Sequence, residues 1–488
     1  MGATQRQIAR TFNCSQTTIS KLIIRYQQTG QTQDRARSGR PKVKTSAEDL
    51  PNLPWNGLEP STPSTQSAMG TNYEKHNYSE SSPHDKKNIS ETKPLHKACL
   101  EGDLGQVKRI LSKGQVDINS RGKEHGRTPL MIAAHGGYRE IFDFLKGEGA
   151  NISQMDDDRN NILHLTCRSG KVEMARYIMS QNIIDVNSRG KSGRTSVMIA
   201  ALWGHKQVFY LLISKGANVS LVDQNSDNIL HVATIGGHVN IMKFVLSKEI
   251  ADIDSRGKFG RTPLMRAAYY GHIDAFDFLV CMQGNVSLLD DGNCSLLHVA
   301  ITGGHVQMVE YLLSQNFEDM NTRWAYGRTS LMSAAFYGHR EIFDLLVSKG
   351  SDVSHVDDNG DNILHRACIG GYVKMVRYLL SQEIVDINSR GRFGRTSLLI
   401  AAYFGHREVL NLLLNEGGDA SLVDSAGDTI LHLSSLKGHL KIVKYVLSHD
   451  IVDINNRNNK KNTAAMIAKQ KGYHAIYDLL VARGSKAN

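Results

Sequence analysis

One motif returns through about four fifths of this chain at an unvarying step, and few folds can accommodate such a period. The segment Thr128-Pro129-Leu130-Met131-Ile132-Ala133-Ala134 has its proline register occupied again by Ser196, Pro263, Ser330, Ser397 and Ala464, all evenly spaced. A second series, seen in Asn228-Ile229-Leu230-His231, places Ile162, Ile229, Leu296, Ile363 and Ile430 at the same period. The two series interleave, each falling almost midway between members of the other. With a first copy at Lys93-Pro94-Leu95-His96-Lys97-Ala98, twelve units fill residues 91–488. A period of this length means stacked supersecondary units, none of which can close a core alone.

The residues inside one unit predict a pair of short helices. Thr128 is suited to cap the first, and Pro129 fits its first turn because no N–H is needed there. Leu130, Ala133 and Ala134 share one face, and the two alanines allow a neighbouring helix close in. Gly137 ends this helix. A second helix follows with Ile141, Phe144 and Leu145 expected inward, and Gly149 ends it. An extended, turn-rich finger then leads to the next unit.

This unit resembles the ankyrin repeat, whose hallmark is T-P-L-H-x-A followed by G-H. Gly260-Arg261-Thr262-Pro263-Leu264-Met265-Arg266-Ala267-Ala268 with Gly271-His272 matches it except at Met265. The interleaved units keep the histidine, as His164, His231, His298, His365 and His432, but not Thr-Pro. The resemblance implies an all-α solenoid of helix pairs with hairpin fingers and a concave recognition face. It also implies a protein partner, bound by side chains that vary on a constant frame.

Three varying features stand out. Ahead of the Gly-His pair, alternate units carry bulky residues: Leu202-Trp203, Tyr269-Tyr270, Phe336-Tyr337 and Tyr403-Phe404. The units between have Ile235-Gly236, Thr302-Gly303 and Ile369-Gly370, so aromatic positions alternate with small ones. By resemblance these rings face the groove, and aromatic side chains make good binding anchors. The alternative is that they stiffen the stack. The fingers alternate in charge: Arg189, Lys191 and Arg194 belong to a basic finger, and Asp223 and Asp227 to the acidic one after it. Neighbouring fingers are expected to neutralise one another through exposed pairs, each worth little. Finally, Trp324 reads as an extra residue at the tip of the finger that also carries Tyr326, and as a candidate anchor. The recurring histidines are read as bonding backbone between repeats, since layers about 10 Å apart cannot share a zinc ion bound at about 2 Å.

Ahead of the array the composition changes. Residues 1–45 hold nine Lys/Arg against one acid, while the remainder is nearly balanced. Two helices are expected here, one to about Phe12 and one from Ser15 to near Gly30. Arg6-Gln7-Ile8-Ala9-Arg10 followed by Ser15-Gln16-Thr17-Thr18-Ile19-Ser20-Lys21 resembles the helix-turn-helix of mariner-type transposases. That resemblance implies that Gln16, Thr17, Thr18 and Lys21 reach base edges in a major groove and that Arg40, in Gly39-Arg40-Pro41, lies in a minor groove. Residues 46–90, rich in Ser, Thr, Asn and Pro, read as a disordered linker.

Other classes of function find no support in the sequence. The six cysteines are scattered without a C-x-x-C pair, which suits a reducing compartment. No apolar stretch is long enough for a membrane span, and Arg6 stands where a myristoylation signal needs Ser or Thr. Neither a phosphate-cradling loop nor an H-E-x-x-H helix is present, and no nucleophile motif stands out. The expectation is a cytoplasmic or nuclear scaffold that binds a protein, without catalytic residues, cofactor or small-molecule substrate. The alternative is a DNA-tethered adaptor.

Overall fold

In a computed structural model of the chain, residues 93–486 are described, apart from 124, 316, 318 and 319. The basic head, its candidate DNA-contacting residues Gln16, Thr17, Thr18, Lys21 and Arg40, and the expected linker all lie outside the described residues.

Each repeat unit forms the expected helix pair. The caps explain why helices this short hold. The Thr128 hydroxyl accepts the Met131 N–H, Pro129 fills the first turn, and Gly137 closes the helix at φ 79°. In three of the interleaved units asparagine takes the capping role, as when Asn161 accepts the His164 N–H. Left-handed glycine at the helix end recurs at Gly170, Gly271, Gly338 and Gly405.

The chain divides between Gly292 and Asn293 into two compact units. The first holds six pairs: α1 (Pro94–Glu101) with α2 (Leu104–Leu111), α3 (Pro129–Gly136) with α4 (Arg139–Gly147), α5 (Ile162–Ser169) with α6 (Val172–Ser180), α7 (Ser196–Leu202) with α8 (Lys206–Ser214), α9 (Ile229–Ile235) with α10 (Val239–Ser247), and α11 (Pro263–Tyr270) with α12 (Ile273–Cys281). The second holds another six: α13 (Leu296–Gly303) with α14 (Val306–Ser314), α15 (Ser330–Tyr337) with α16 (Arg340–Ser348), α17 (Ile363–Gly370) with α18 (Val373–Ser381), α19 (Ser397–Phe404) with α20 (Arg407–Asn415), α21 (Ile430–Leu436) with α22 (Leu440–Ser448), and α23 (Ala464–Gln470) with α24 (His474–Ala482). Within each unit, first helices pack on the first helices of adjacent layers, and every pair packs on itself.

The core repeats with the sequence. Leu130, Ala133 and Ala134 are fully buried, and so are Leu264, Ala267 and Ala268. In the second helix the reading needs one correction. Ile141 and Leu145 are buried, but the buried ring is Phe142 and not Phe144. Phe142 sits edge-on to Tyr177 of the next layer, and the sequence period puts Phe209, Phe276 and Phe343 in the same buried place. Each such ring contributes roughly 1.5–3 kcal/mol of burial. Among the described residues no helix is long and apolar enough to cross a membrane.

Candidate binding surfaces of the repeat array

The helix-end aromatics split into two classes. Tyr269, Phe336 and Tyr403, the first of each pair, are 5%, 8% and 9% exposed and belong to the core. Trp203, Tyr270, Tyr337 and Phe404, the second of each pair, are half-buried at the helix ends. Three of these rings stack on the histidine two residues on, Tyr270 on His272 at 6.4 Å, Tyr337 on His339 at 6.1 Å and Phe404 on His406 at 6.3 Å. The small residues of the intervening units have a structural cause. A Cβ added to Gly236 would lie 2.1 Å from the Leu202 carbonyl oxygen, and one on Gly370 would lie 1.9 Å from that of Phe336. At Gly236 and Gly370 the space beside the small residue is therefore filled by the backbone of the preceding layer.

The fingers depart from expectation in their burial. Their charges do neutralise between neighbours, but the central pairs are buried. Arg194 Nε lies 3.0 Å from Asp223, with side chains 9% and 0% exposed. Arg261–Asp290 and Arg395–Asp424 repeat it at 3.2 and 3.1 Å, and Arg127–Asp156 and Arg328–Asp357 more loosely at 3.7 and 3.8 Å. Asp223 also accepts the backbone N–H groups of Asn225 and Asp227, so its charge folds its own finger. A buried ion pair held this way is costly to break, about 3–5 kcal/mol when one partner goes.

A second arginine stitches the fingers through backbone. Arg189 Nη1 donates to the carbonyls of Gly193 and Val222, Arg256 to those of Gly260 and Leu289, and Arg390 to those of Gly394 and Val423. At the fingertips Phe259, Tyr326 and Phe393 take left-handed backbone, with φ of 61°, 62° and 58°. Bulky residues avoid this region at a cost of about 1–2 kcal/mol. The reason is visible one finger along. The carbonyls of Phe259, Tyr326 and Phe393 accept the N–H of Asp291, Asp358 and Ser425 at 2.8–2.9 Å, which the left-handed turn aims at them. Their rings stay 51%, 44% and 46% exposed.

One arginine links each fingertip to the helix ends. The Arg261 guanidinium lies 5.6 Å from the Phe259 ring and 4.9 Å from the Tyr269 ring. Arg395 spans Phe393 and Tyr403 at 5.3 and 4.3 Å. Fingertip ring, guanidinium, buried ring and half-buried ring thus form one strip, Phe259–Arg261–Tyr269–Tyr270 in the first unit and Phe393–Arg395–Tyr403–Phe404 in the second.

Trp324 is placed differently from its sequence reading. It occupies the register of Gly190, Gly257 and Gly391 and is no extra residue. Its half-buried ring lies 5.0 Å from the His298 ring, away from the tip that Tyr326 occupies.

Four of the five histidines of the interleaved units, all but His298, bond backbone between repeats. His164 Nε2 donates to the Ser188 carbonyl at 3.0 Å, His231 to Arg261 at 3.1 Å, His365 to Ser389 at 3.0 Å and His432 to Asn462 at 3.0 Å. The Gly-His histidines reach the other way: His205, His238, His272, His406 and His439 donate to the carbonyls of Arg168, Leu202, Ile235, Ile369 and Tyr403. Burial pushes His135 and His164 down to about 4 and His298 to about 3. Burial also pushes the Cys99 and Cys368 thiols up to about 12, which removes them as nucleophiles.

A family model described as ankyrin repeats in three copies matches the chain six times, over residues 75–156, 137–223, 208–290, 282–357, 349–424 and 398–488. Curated relatives are diverse. The human transient receptor potential cation channel subfamily A member 1 is 23% identical over 70% of this chain and 28% of its own length. The E3 ubiquitin-protein ligase KEG of Arabidopsis thaliana is 26% identical over 70% of the chain and 20% of its own. The ankyrin repeat and KH domain-containing protein mask-1 of Caenorhabditis elegans is 30% identical over 59% and 11%. The chain therefore spans less than a third of the length of these relatives.

Proposed function

Because the chain belongs to the ankyrin-repeat family, we propose that it is a non-enzymatic scaffold that binds a protein partner along the helix ends and fingers of its repeats. The observation that supports this reading is the aromatic–arginine strip. Trp203, Tyr270, Tyr337 and Phe404 keep a ring edge in solvent at a fixed period, and Phe259, Tyr326 and Phe393 add exposed rings at the fingertips. Rigid aromatic side chains bury much area at little entropic cost, and a row of them braced from beneath by paired arginines suits an extended partner segment. Tyr269, Phe336 and Tyr403 act beneath them as the packed support. Trp324 belongs to the same support through His298.

The test replaces Tyr270, Tyr337 and Phe404 together by alanine. Partner capture by a photo-crosslinker at position 393 should fall by about tenfold or more, because each anchor is worth about 1–2 kcal/mol or more. The melting temperature should fall by only a few degrees. Undiminished capture with a collapsed melting temperature would make the row purely structural.

The sequence of residues 1–45 supports a second reading, a DNA-tethered adaptor. Fluorescence anisotropy with duplex DNA across a salt series, on the full chain and on residues 91–488, separates the two. Binding confined to the full chain and falling steeply with salt would favour the adaptor.

A further inference from the structure

The second helices repeat a three-residue device on their outer faces. In α4, Arg139 Nε lies 3.6 Å from Asp143, and its guanidinium covers the Tyr177 ring of α6 at 4.3 Å. The Tyr177 hydroxyl donates to Asp143, which closes the triangle. The second unit builds it again from Arg340, Asp344 and Tyr378, with Arg340 3.5 Å from Asp344 and 4.2 Å from the ring. In both places the arginine is neutralised by the carboxylate one helical turn on.

One period later the device loses its acid. Arg407 and Tyr445 keep their places, but Asn411 stands where Asp143 and Asp344 do. The Tyr445 hydroxyl donates to the Asn411 amide oxygen, so the scaffold is preserved without the charge. Arg407 lies farther off, 5.5 Å from the ring centroid. Two further positions change in the same direction. Glu416 is followed one period later by Arg483, and Gln382 by His449.

Two of these changed positions, His449 and Arg483, line one groove of about 390 Å³ between α20, α22 and α24 together with Arg407, Lys441, Lys444 and Tyr445 among others, and Asn411 adjoins it through its bond to Tyr445. No carboxylate is among its lining residues. The positions one period earlier carry Arg340, Lys374 and Arg377 against Asp344 and Glu416. Three cations and two acids at these positions have become four permanent cations and no acid.

We infer that this groove is an anion-binding site for a small molecule or headgroup that carries two or more phosphates on a compact carbon core. Its volume falls within the range of small-ligand pockets, roughly 300–1,000 Å³. Arginine forks fit phosphate bidentately, and lysines add rotatable point charges. The Tyr445 ring and Leu479 supply an apolar wall for the ligand's carbon frame. Charges gathered in a groove without acids repel one another until a counter-charge enters, so occupancy should also stabilise the last layers.

Titration calorimetry of the full chain with inositol hexakisphosphate, at near-physiological salt, tests the site. Asn411→Asp with Arg483→Glu restores the charges that positions 344 and 416 already carry, so the fold should be kept. Wild type should bind, and the double variant should bind at least about tenfold more weakly with its unliganded melting temperature unchanged. If the double variant melts early, Lys444→Ala gives the same readout. Vesicles of phosphatidylcholine with and without phosphatidylinositol bisphosphate distinguish the sources. Variant-sensitive binding confined to the bisphosphate vesicles indicates a membrane headgroup, and variant-sensitive binding of the soluble probe alone indicates a free metabolite. No binding of either probe by wild type would overturn the inference. So would equal binding by the variants, which would place the affinity elsewhere on the chain.

Discussion

Two layers one period apart solve the same packing problem with different chemistry. Around Asp227 the solution is ionic. The Arg266 guanidinium lies 2.8 Å from Asp227, both side chains are 2% exposed, and the Lys258 N–H also donates to that carboxylate. Gly257 makes room, since a Cβ there would come 2.0 Å from the carboxylate oxygen. His231 Nε2 finds the Arg261 carbonyl. In the second unit the same three registers hold Cys294, Ser333 and Trp324. The ion pair is gone, the glycine has become an indole, and His298 Nε2 has exchanged a carbonyl for an aromatic face. The backbone is common to both layers: the finger closes with Gly257 N–H to Arg261 in one and Trp324 N–H to Arg328 in the other. The array therefore keeps its main-chain geometry and lets interior side chains change only as sets.

The largest expected effect breaks the ionic set in one place. Arg266→Ile alone leaves Asp227 buried and should cost about 3–5 kcal/mol by urea unfolding. Adding Asp227→Asn should recover the stability to within about 1 kcal/mol, because Asn160 and Ile199 hold those two registers one period earlier. Failure of the rescue would show that the two layers are not interchangeable. A smaller effect is expected in the aromatic set. Trp324→Gly removes a half-buried ring from His298 and should cost about 2 kcal/mol, below the usual loss for a fully buried tryptophan. No loss at all would mean that the indole merely rests on the surface.

The smallest effect is a pH dependence at one site. Burial holds His298 at about 3 when folded, against about 6.5 unfolded. Its neutral form therefore contributes stability above pH 6.5, and that contribution is lost as the pH falls towards 3. Between pH 8 and 5.5 its share is about 1.4 kcal/mol. Denaturant midpoints of wild type and His298→Leu across this range should converge by that amount at the acid end. Parallel curves would mean that His298 titrates normally.

Much of this was legible in the sequence, and what was not has a common cause. Every helix pair followed from local signals: Thr128-Pro129 at the start, Gly137 at the end, apolar spacing between. Spacing ruled out a shared metal for the histidines and left backbone as their partner, which holds for His164, His231, His365 and His432 but not for His298. The reading failed where partners come from the neighbouring layer. Arg194 and Asp223 lie most of a repeat apart, and nothing local to either says that the pair is buried. Phe144 was read as facing the core, whereas Phe142 is the buried ring and meets Tyr177 one layer on. Trp324 looked additional because the glycine it replaces matters only against residues such as Asp227 of the layer before. The cationic groove was within reach, since Asn411 stands in a register that holds aspartate at 143, 277 and 344 and tyrosine at 210, but its meaning required seeing that Asp143 and Asp344 hold an arginine in check.

The backward-reaching histidines have a consequence for how the chain is made. The last carbonyls of a helix have no partner within it. Here those of Leu202, Ile235, Ile369 and Tyr403 are satisfied by the imidazole of the following layer. A ribosome delivers the carbonyl first and the imidazole only after a further layer has been translated. At every moment of synthesis the youngest folded layer is therefore left open at its leading edge, and each new layer seals the one before it. Growth in this array is vectorial, like a zip whose last tooth never locks until the next one arrives.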